Sequence, residues 1–278
     1  MHQHNVALRL PDEPGNAPVD ALRRVAALYD IEGNLPALRA VLADVAREGV
    51  STIVIGGDVA AGPLPSETID QLMALGQRGR FVRGNADREV IDAYDQRRDD
   101  IAGATDPAER ASAFAASRIA RSQRDFLADF ASGVALDVEG LGRTLFCHGS
   151  PRSDTEMITT ATTGERLHGI LEGVEERIVV CGHTHRQFDR RVNGWRVVNA
   201  GSVGLPYQGR AGAYWALLGP DIVLRRTEYD LDAAIAELRA SGFPDLDGML
   251  QESLLEPMDP DEVADFFERQ ATSRADGR

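Results

Sequence analysis

Five clusters of polar residues, each placed directly after a short apolar run, carry the groups in this sequence that could bind metal. The clearest is Gly182-His183-Thr184-His185, which follows the apolar residues 178–181. Carboxylate, amide and imidazole groups are the ligands that Mn²⁺, Fe and Zn²⁺ take in proteins. The residue types therefore predict a metal site built from separate segments of the chain. The other four clusters are Asp30-Ile31-Glu32, Gly57-Asp58, Gly84-Asn85 and His148-Gly149.

The apolar runs and the helical patterns between them predict how these clusters are brought together. Residues 24–29 and 52–55 predict two buried strands, and the helix between them can begin at Asn34 and end at Gly49. A strand–helix–strand unit of about 30 residues has the length of a parallel crossover. Because parallel strands end at one edge of a sheet, we expect the clusters at the strand ends to converge. Asp30 and Glu32, one residue apart in an extended segment, should point the same way.

The chain divides into a main domain and flanking segments. Asn193-Gly194 predicts a hairpin, so an antiparallel half should complete the core of the main domain. The regions are a flexible arm over 1–20, the main domain over 21–228 with a helical excursion over 88–132, a helical extension or lid over 229–270, and a disordered tail over 271–278.

Composition excludes several kinds of function. All 30 basic residues are arginine, so mechanisms that need a phosphate-binding or Schiff-base lysine are ruled out. The formal net charge is −14, and residues 227–278, with 14 acidic and 4 basic residues, account for −10 of it. Because duplex nucleic acid is bound through a positive face, this balance disfavours it as a partner. A small phosphorylated substrate held by metal ions is compatible with the negative charge.

The apolar content predicts a cytoplasmic protein. No apolar run reaches the roughly 20 residues that a membrane span needs, and the first residues lack the pattern of a secretory signal. The two cysteines, Cys147 and Cys181, fall in predicted buried strands and are expected to be reduced thiols. The acidic C-terminal helices could also pair two copies of the chain.

Taken in order, the clusters resemble a known family. Between residues 25 and 226 they follow the pattern Asp-x-Glu, Gly-Asp, Gly-Asn, His and Gly-His-x-His. This pattern resembles the calcineurin-like metallophosphoesterase superfamily. The compact crossovers and the run Asn199-Ala200-Gly201-Ser202-Val203-Gly204 are similar to its small bacterial phosphodiesterase branch. The resemblance implies an α/β fold, a four-layer α/β/β/α sandwich with mixed sheets, here followed by the C-terminal helical extension.

The resemblance also implies a dinuclear metal centre that activates a hydroxide for in-line attack on phosphorus. The ions would be divalent or mixed-valence, Mn²⁺, Fe²⁺/Fe³⁺ or Zn²⁺. The implied substrate is a phosphodiester or phosphoanhydride of nucleotide type, such as a diadenosine polyphosphate. Asn85, His148 and His183 are the implied catalytic residues, and Asn85 would also orient the phosphate. The implied ligands are Asp30, Glu32, Asp58 and His185 for one ion, and Asp58, Asn85, His148 and His183 for the other.

Two positions depart from the family pattern. The family commonly has histidine where this chain has Glu32, and the added negative charge should favour hard cations if Glu32 is a ligand. The rival hypothesis is that Glu32 does not bind metal and the first site is weak or empty. Many relatives have, at the position of Ala86, a histidine that protonates the leaving group. Without that acid, good leaving groups are favoured over simple alkyl monoesters.

Several residues keep two interpretations. Arg152 could bind the substrate phosphate or lie at the surface, and Asp87 could support Asn85 or cap a helix. Tyr207 and Arg210 could reach the substrate, whereas His168 is expected only to pack or face solvent. The alternative function is a catalytically weak or silent scaffold or regulatory protein that binds a partner through the acidic C-terminal helices. Retention of the ligand residues favours the enzyme, because a scaffold has no physical need for them.

Overall fold

The structure, a computed structural model, describes residues 21–97, 104 and 106–276. The predicted arm over 1–20 lies outside the described residues. The strands are β1 (Val25–Leu28), β2 (Thr52–Ile55), β3 (Gly79–Phe81), β4 (Gly133–Val138), β5 (Gly142–Cys147), β6 (Ile178–Cys181), β7 (Phe188–Val192), β8 (Trp195–Asn199), β9 (Ala213–Leu218) and β10 (Ile222–Thr227). The helices are α1 (Leu35–Arg47), α2 (Pro65–Met73), α3 (Asn85–Asp95), α4 (Pro107–Arg118), α5 (Arg121–Ala128), α6 (Gly164–Leu171), α7 (Leu231–Arg239), α8 (Leu246–Leu250) and α9 (Pro260–Asp276).

Within the described residues the strands form two five-stranded mixed sheets. The first has the order β10-β9-β1-β2-β3, with β1, β2 and β3 parallel and β9 antiparallel to β1. The second has the order β4-β5-β6-β8-β7, with β5, β6 and β8 parallel and antiparallel strands at both edges. The parallel strands of each sheet therefore end on the same side of that sheet.

Successive side chains of each strand point to opposite faces of its sheet, and this alternation explains how the helices and sheets form layers. In β1, Ala26 and Leu28 pack against the helices over one face of the first sheet, whereas Val25 and Ala27 face the second sheet. In the second sheet the side chain of Phe146 meets this inter-sheet layer. Its neighbours on the opposite face, among them Leu145 and Val179, pack with Leu167 and Leu171 of α6. Both faces of each sheet are buried, which confirms the four-layer α/β/β/α sandwich.

Local signals in the sequence account for the helix that carries the chain from β1 to β2. The side chain of Asn34 accepts a hydrogen bond from the Ala37 amide at 3.2 Å, as expected for a helix cap. The predicted hairpin at Asn193-Gly194 also forms, with both residues in the left-handed region. Strand β4 was not predicted, although Val134, Leu136 and Val138 alternate along it.

The C-terminal extension packs on α4 and turns back over the main domain. Phe114 of α4 contacts an apolar cluster of the extension that includes Leu238, Phe243 and Leu250. Farther along, Glu268 of α9 accepts hydrogen bonds from the hydroxyls of Thr159 and Thr162 and forms an ion pair with Arg166. Residues 271–276, expected in a disordered tail, continue α9, where Ala271 is buried. Residues 277 and 278 lie outside the described part.

No helix in the described ranges combines the length and the apolar character required to cross a bilayer. Both cysteines are buried free thiols, as the sequence predicted.

Candidate metal centre

The loops at the ends of five parallel strands bring the predicted ligand residues together. Asp30 follows β1, Asp58 follows β2 and Asn85 begins α3 after β3. From the second sheet, His148 follows β5, and the loop after β6 supplies His183 and His185. Within the described residues these side chains form two groups whose ligand atoms lie within 4.8 Å of one another. The groups are the Asp58 group, Asp58 with His148 and His183, and the Asp30 group, Asp30 with Glu32 and His185.

In the Asp58 group, hydrogen bonds fix the orientation of His148. Its Nδ1 lies 2.8 Å from the Gly56 carbonyl oxygen, to which it donates. Because Nδ1 is held by this carbonyl, Nε2 is the nitrogen turned towards the other ligand residues, and it would release its proton on binding a metal ion. Nε2 lies 3.1 Å from Oδ2 of Asp58 and 3.2 Å from Oδ1 of Asn85. Asn85 is therefore placed to complete this group with an amide oxygen.

In the Asp30 group, His185 is oriented in the same way. Its Nδ1 donates to the Leu205 carbonyl oxygen at 2.7 Å. Its Nε2 lies 3.6 Å from Oδ1 of Asp30 and 3.7 Å from Oε1 of Glu32. These distances are too long for hydrogen bonds and leave room between the three atoms. The second carboxylate oxygen of Asp30 accepts from the His183 amide at 3.0 Å, which ties the two groups together.

The backbone at the ligand residues corrects one expectation. Asp30 and Glu32 do not lie in an extended segment: their φ angles are 51° and 52°, in the left-handed region. The turn sends the intervening Ile31 into the core while both carboxylates reach the centre. Asp58, His183 and His185 share this conformation, with φ of 52°, 65° and 55°.

The electrostatics of the centre fit a cation. Burial raises the pKa of Asp30 to about 6, and burial followed by repulsion from Asp58 and Asp30 raises the pKa of Glu32. Burial also opposes protonation of His148, but the Asp58 carboxylate outweighs it and raises the pKa of His148 to about 10. Three buried carboxylates thus raise the free energy of the metal-free centre, and a bound cation would relieve their repulsion.

Two buried polar atoms without a hydrogen-bond partner also support a metal ion at the centre. In the described structure, Oδ1 of Asp30 and Nε2 of His183 are buried without a hydrogen-bond partner. Buried polar atoms are nearly always paired, so an orphan acceptor needs a ligand. Burial lowers the pKa of His183 to about 3, so its imidazole is neutral, as metal binding requires.

Asp87 caps α3, one of the two roles that the sequence left open, and also holds the Asp58 loop, which the sequence did not predict. The carboxylate is fully buried and accepts hydrogen bonds from the amides of Asp58, Val59 and Gly84, each at 2.9 Å. It therefore caps α3 and fixes the backbone of Asp58 at the same time. A fourth hydrogen bond at this corner comes from the Ala86 amide, which donates to Oδ1 of Asp58 at 2.8 Å.

The close approach at Gly84 explains the glycine in the Gly-Asn motif. A Cβ atom at this position would lie 2.0 Å from Oδ1 of Asp58. No side chain could be added without displacing the Asp58 carboxylate from the centre.

Arg152 is not brought to the centre, which corrects its assignment as a phosphate-binding residue. Its guanidinium forms two hydrogen bonds with Glu156, at 2.8 and 2.6 Å, and a third with the Gly169 carbonyl oxygen. Arg210 pairs with Glu228, and His168 packs edge-on against Trp195. Tyr207, by contrast, stacks on His185 with ring centroids 5.3 Å apart. No sequence motif marks Tyr207, and only its position in the loop after Gly204 suggested that it could reach the substrate.

Two mixed sheets packed face to face, with metal-ligand groups gathered at the strand ends, define the metallophosphoesterase class of fold. The sequence matches the calcineurin-like phosphoesterase superfamily domain over residues 24–218, more than half of the chain. The chain therefore belongs to this superfamily and is a phosphoric ester hydrolase. Members typically bind divalent metals, in agreement with the two ligand groups.

Solved structures support the fold. A hypothetical protein from Pyrococcus horikoshii OT3 is similar with a TM-score of 0.69 and 21% identity, over 82% of this chain and 96% of that one. A metallophosphoesterase from Sphaerobacter thermophilus is similar with a TM-score of 0.63 and 24% identity, over 83% of this chain and 98% of that one. No curated protein sequence matches this chain.

Glu32 provides a test of the Asp30 group. We expect Glu32→Ala to lose about one of two metal equivalents per chain, because even partners of metal ligands contribute about 10–100-fold to affinity. Metal content of chelated and refilled protein, measured by mass spectrometry, gives the result. Glu67→Ala, an exposed glutamate on α2, is the matched control. Full occupancy in Glu32→Ala would show that Glu32 is not a ligand.

Proposed function

We propose that this protein hydrolyses a phosphodiester or phosphoanhydride bond of a small molecule with two metal ions held at the strand ends. The observation that carries the proposal is that both ligand groups present residues to one cavity of about 630 Å³, Glu32 and His185 from one group and Asp58 and His183 from the other. Each group offers ligands suited to Mn²⁺, Fe or Zn²⁺. The cavity has room for a substrate beside the centre.

In this proposal the Asp30 group holds one ion and the Asp58 group holds the other. Asp58 would be a ligand to both ions, and Asn85 would join the Asp58 group. When bound, the two ions would polarise the phosphoryl oxygens and supply a hydroxide at neutral pH.

The side chains around the ions define what the protein itself contributes. Asn85 lines the cavity next to His148, so its amide can orient one phosphoryl oxygen. Ala86 also lines the cavity and has no proton to donate to the departing oxygen. Esters and anhydrides with good leaving groups are therefore favoured, since general acid catalysis contributes about 10²–10⁴-fold where it is present. Dinucleoside polyphosphates and activated diesters both meet this requirement.

Metal dependence tests the proposal. We expect metal-free protein to be inactive on bis-p-nitrophenyl phosphate and Mn²⁺ to restore turnover, with saturation near two equivalents per chain. Release of p-nitrophenolate and metal content are measured on the same samples. If protein that holds two ions turns over no diester, monoester or dinucleotide, the silent scaffold is the better description.

A further inference from the structure

The cavity above the centre is built by three parts of the chain. Glu32, Asp58, Asn85, His183 and His185 lie on its floor. The first turns of α4 supply Pro107, Ala108 and Ala111. The extension closes the opposite side with Phe243, Pro244, Asp245, Asp247, Gly248, Met249 and Glu252. A phosphodiester bound at the centre would therefore place against the extension the alcohol group that stays on phosphorus when the other one leaves.

Above the metal-ligand residues, the charged side chains that line the wall of the cavity are acidic. No arginine occurs among the described residues that line the cavity, although the chain contains 30 basic residues. Outside the metal-ligand groups, four carboxylates line it. Asp245 is paired with Arg110 at 2.8 Å, and Asp247 with Arg239 at 3.2 Å. Glu89 and Glu252 also face the cavity, and no described arginine comes within ion-pair distance of either carboxylate.

The same wall is also aromatic and apolar. Tyr207, held against His185, and Phe243, packed edge-on against Phe114, both line the cavity together with Met249. Glu252 lines the same cavity as these aromatic rings. Aromatic faces next to unpaired carboxylates are the features that recognise ammonium groups.

A polyphosphate fits this wall poorly. The two ions can neutralise one phosphoryl group, but each further phosphate would lie against carboxylates without a cation. A diester with a single negative charge avoids that repulsion.

We infer that the preferred substrate is a phosphodiester with one negative charge whose alcohol carries an ammonium group, bound between Tyr207, Phe243 and Glu252. This inference rests on the proposed function and narrows it, since it disfavours dinucleoside polyphosphates. The C-terminal extension is then a specificity element of the site.

Two chromogenic diesters that differ in one atom test the inference. They are p-nitrophenylphosphocholine and its neutral analogue 3,3-dimethylbutyl p-nitrophenyl phosphate. In both, water forms the new P–O bond, the bond to p-nitrophenolate breaks, and two protons pass to the buffer. We expect kcat/KM to be about tenfold higher for the choline ester, the factor expected from a cation–π contact together with one exposed ion pair. The preference should fall as ionic strength rises.

A matched pair of variants locates the preference. Glu252→Gln should lower the ratio of the two kcat/KM values about threefold, because one carboxylate is removed. Glu256→Gln, the same change on an exposed residue of the extension that does not line the cavity, should leave the ratio at the wild-type value.

The outcomes separate this inference from the proposed function. Equal rates on the two esters, an unchanged ratio in Glu252→Gln, or faster hydrolysis of diadenosine tetraphosphate than of the choline ester would overturn the inference alone, provided that bis-p-nitrophenyl phosphate is hydrolysed. No metal-dependent hydrolysis of any of these compounds would overturn both.

Discussion

Asp58→Asn is expected to lower kcat/KM for a phosphodiester by about 10³-fold or more. Asp58 belongs to one ligand group, lies next to the other, and is proposed to bridge the two ions. An amide cannot bridge as a carboxylate does, and loss of several kcal/mol of metal stabilisation corresponds to this factor. His148 raises the acidity of the carboxyl further: burial would raise the pKa of Asp58, but the charge and hydrogen bond of His148 lower it to about 2. The wild-type side chain is therefore ionised at neutral pH.

Steady-state kinetics and metal content on the same preparations test this expectation. Asp92→Asn, an identical change at an exposed position of α3, serves as the control and should keep the wild-type rate and two ions. A rate in Asp58→Asn within tenfold of the wild type would contradict the bridging role.

Asp87→Ala is expected to destabilise the metal-free protein by about 3–5 kcal/mol, because three buried amides lose their acceptor at once. This is a large part of the stability of an ordinary domain. The loop that presents Asp58 would lose its anchor, so metal affinity should fall about 10–100-fold in protein that remains folded. Urea unfolding measures the first effect and titration with Mn²⁺ the second.

Asp92→Ala is the matched control for this change, since it shortens an exposed aspartate on the same helix and should alter stability by no more than about 0.5 kcal/mol. If Asp87→Ala were as stable as this control and bound metal normally, Asp87 would only cap α3. A loss of metal affinity in Asp87→Asn without a loss of stability would support the positioning role directly.

The sequence predicted the parts of the fold that local patterns determine. The β1-α1-β2 crossover, the Asn34 cap and the Asn193-Gly194 hairpin all depend on residues close together in the chain. The order of the polar clusters was enough to predict that the ligand residues meet. The bacterial branch, the cytoplasmic location and pairing through the C-terminal helices stay predictions.

Contacts between segments that are distant in the chain could not be predicted from the sequence. Arg152 had the right residue type for phosphate binding, but Glu156, four residues along, takes its guanidinium. The cavity wall depends on how the extension docks on α4, through Phe114 and the Arg110–Asp245 ion pair. No periodic pattern in the sequence predicts either of these contacts. The left-handed turns at Asp30 and Glu32 are likewise held by contacts with a distant segment, since the Glu32 and Gly33 amides donate to the Asp58 and Val59 carbonyl oxygens.

Those left-handed turns also bear on whether the centre is used. Each side chain other than glycine costs about 1–2 kcal/mol in this conformation, and here Asp30, Glu32, Asp58, His183 and His185 all adopt it. Together these positions cost several kcal/mol, a sizeable part of the net stability of a domain. Glycine at Glu32 or His183 would relieve this strain while deleting a ligand. A lineage that needed only the shape of this protein would gain stability by accepting such replacements. That this chain carries the unfavourable residue at all five positions is the expected result of selection for the centre itself.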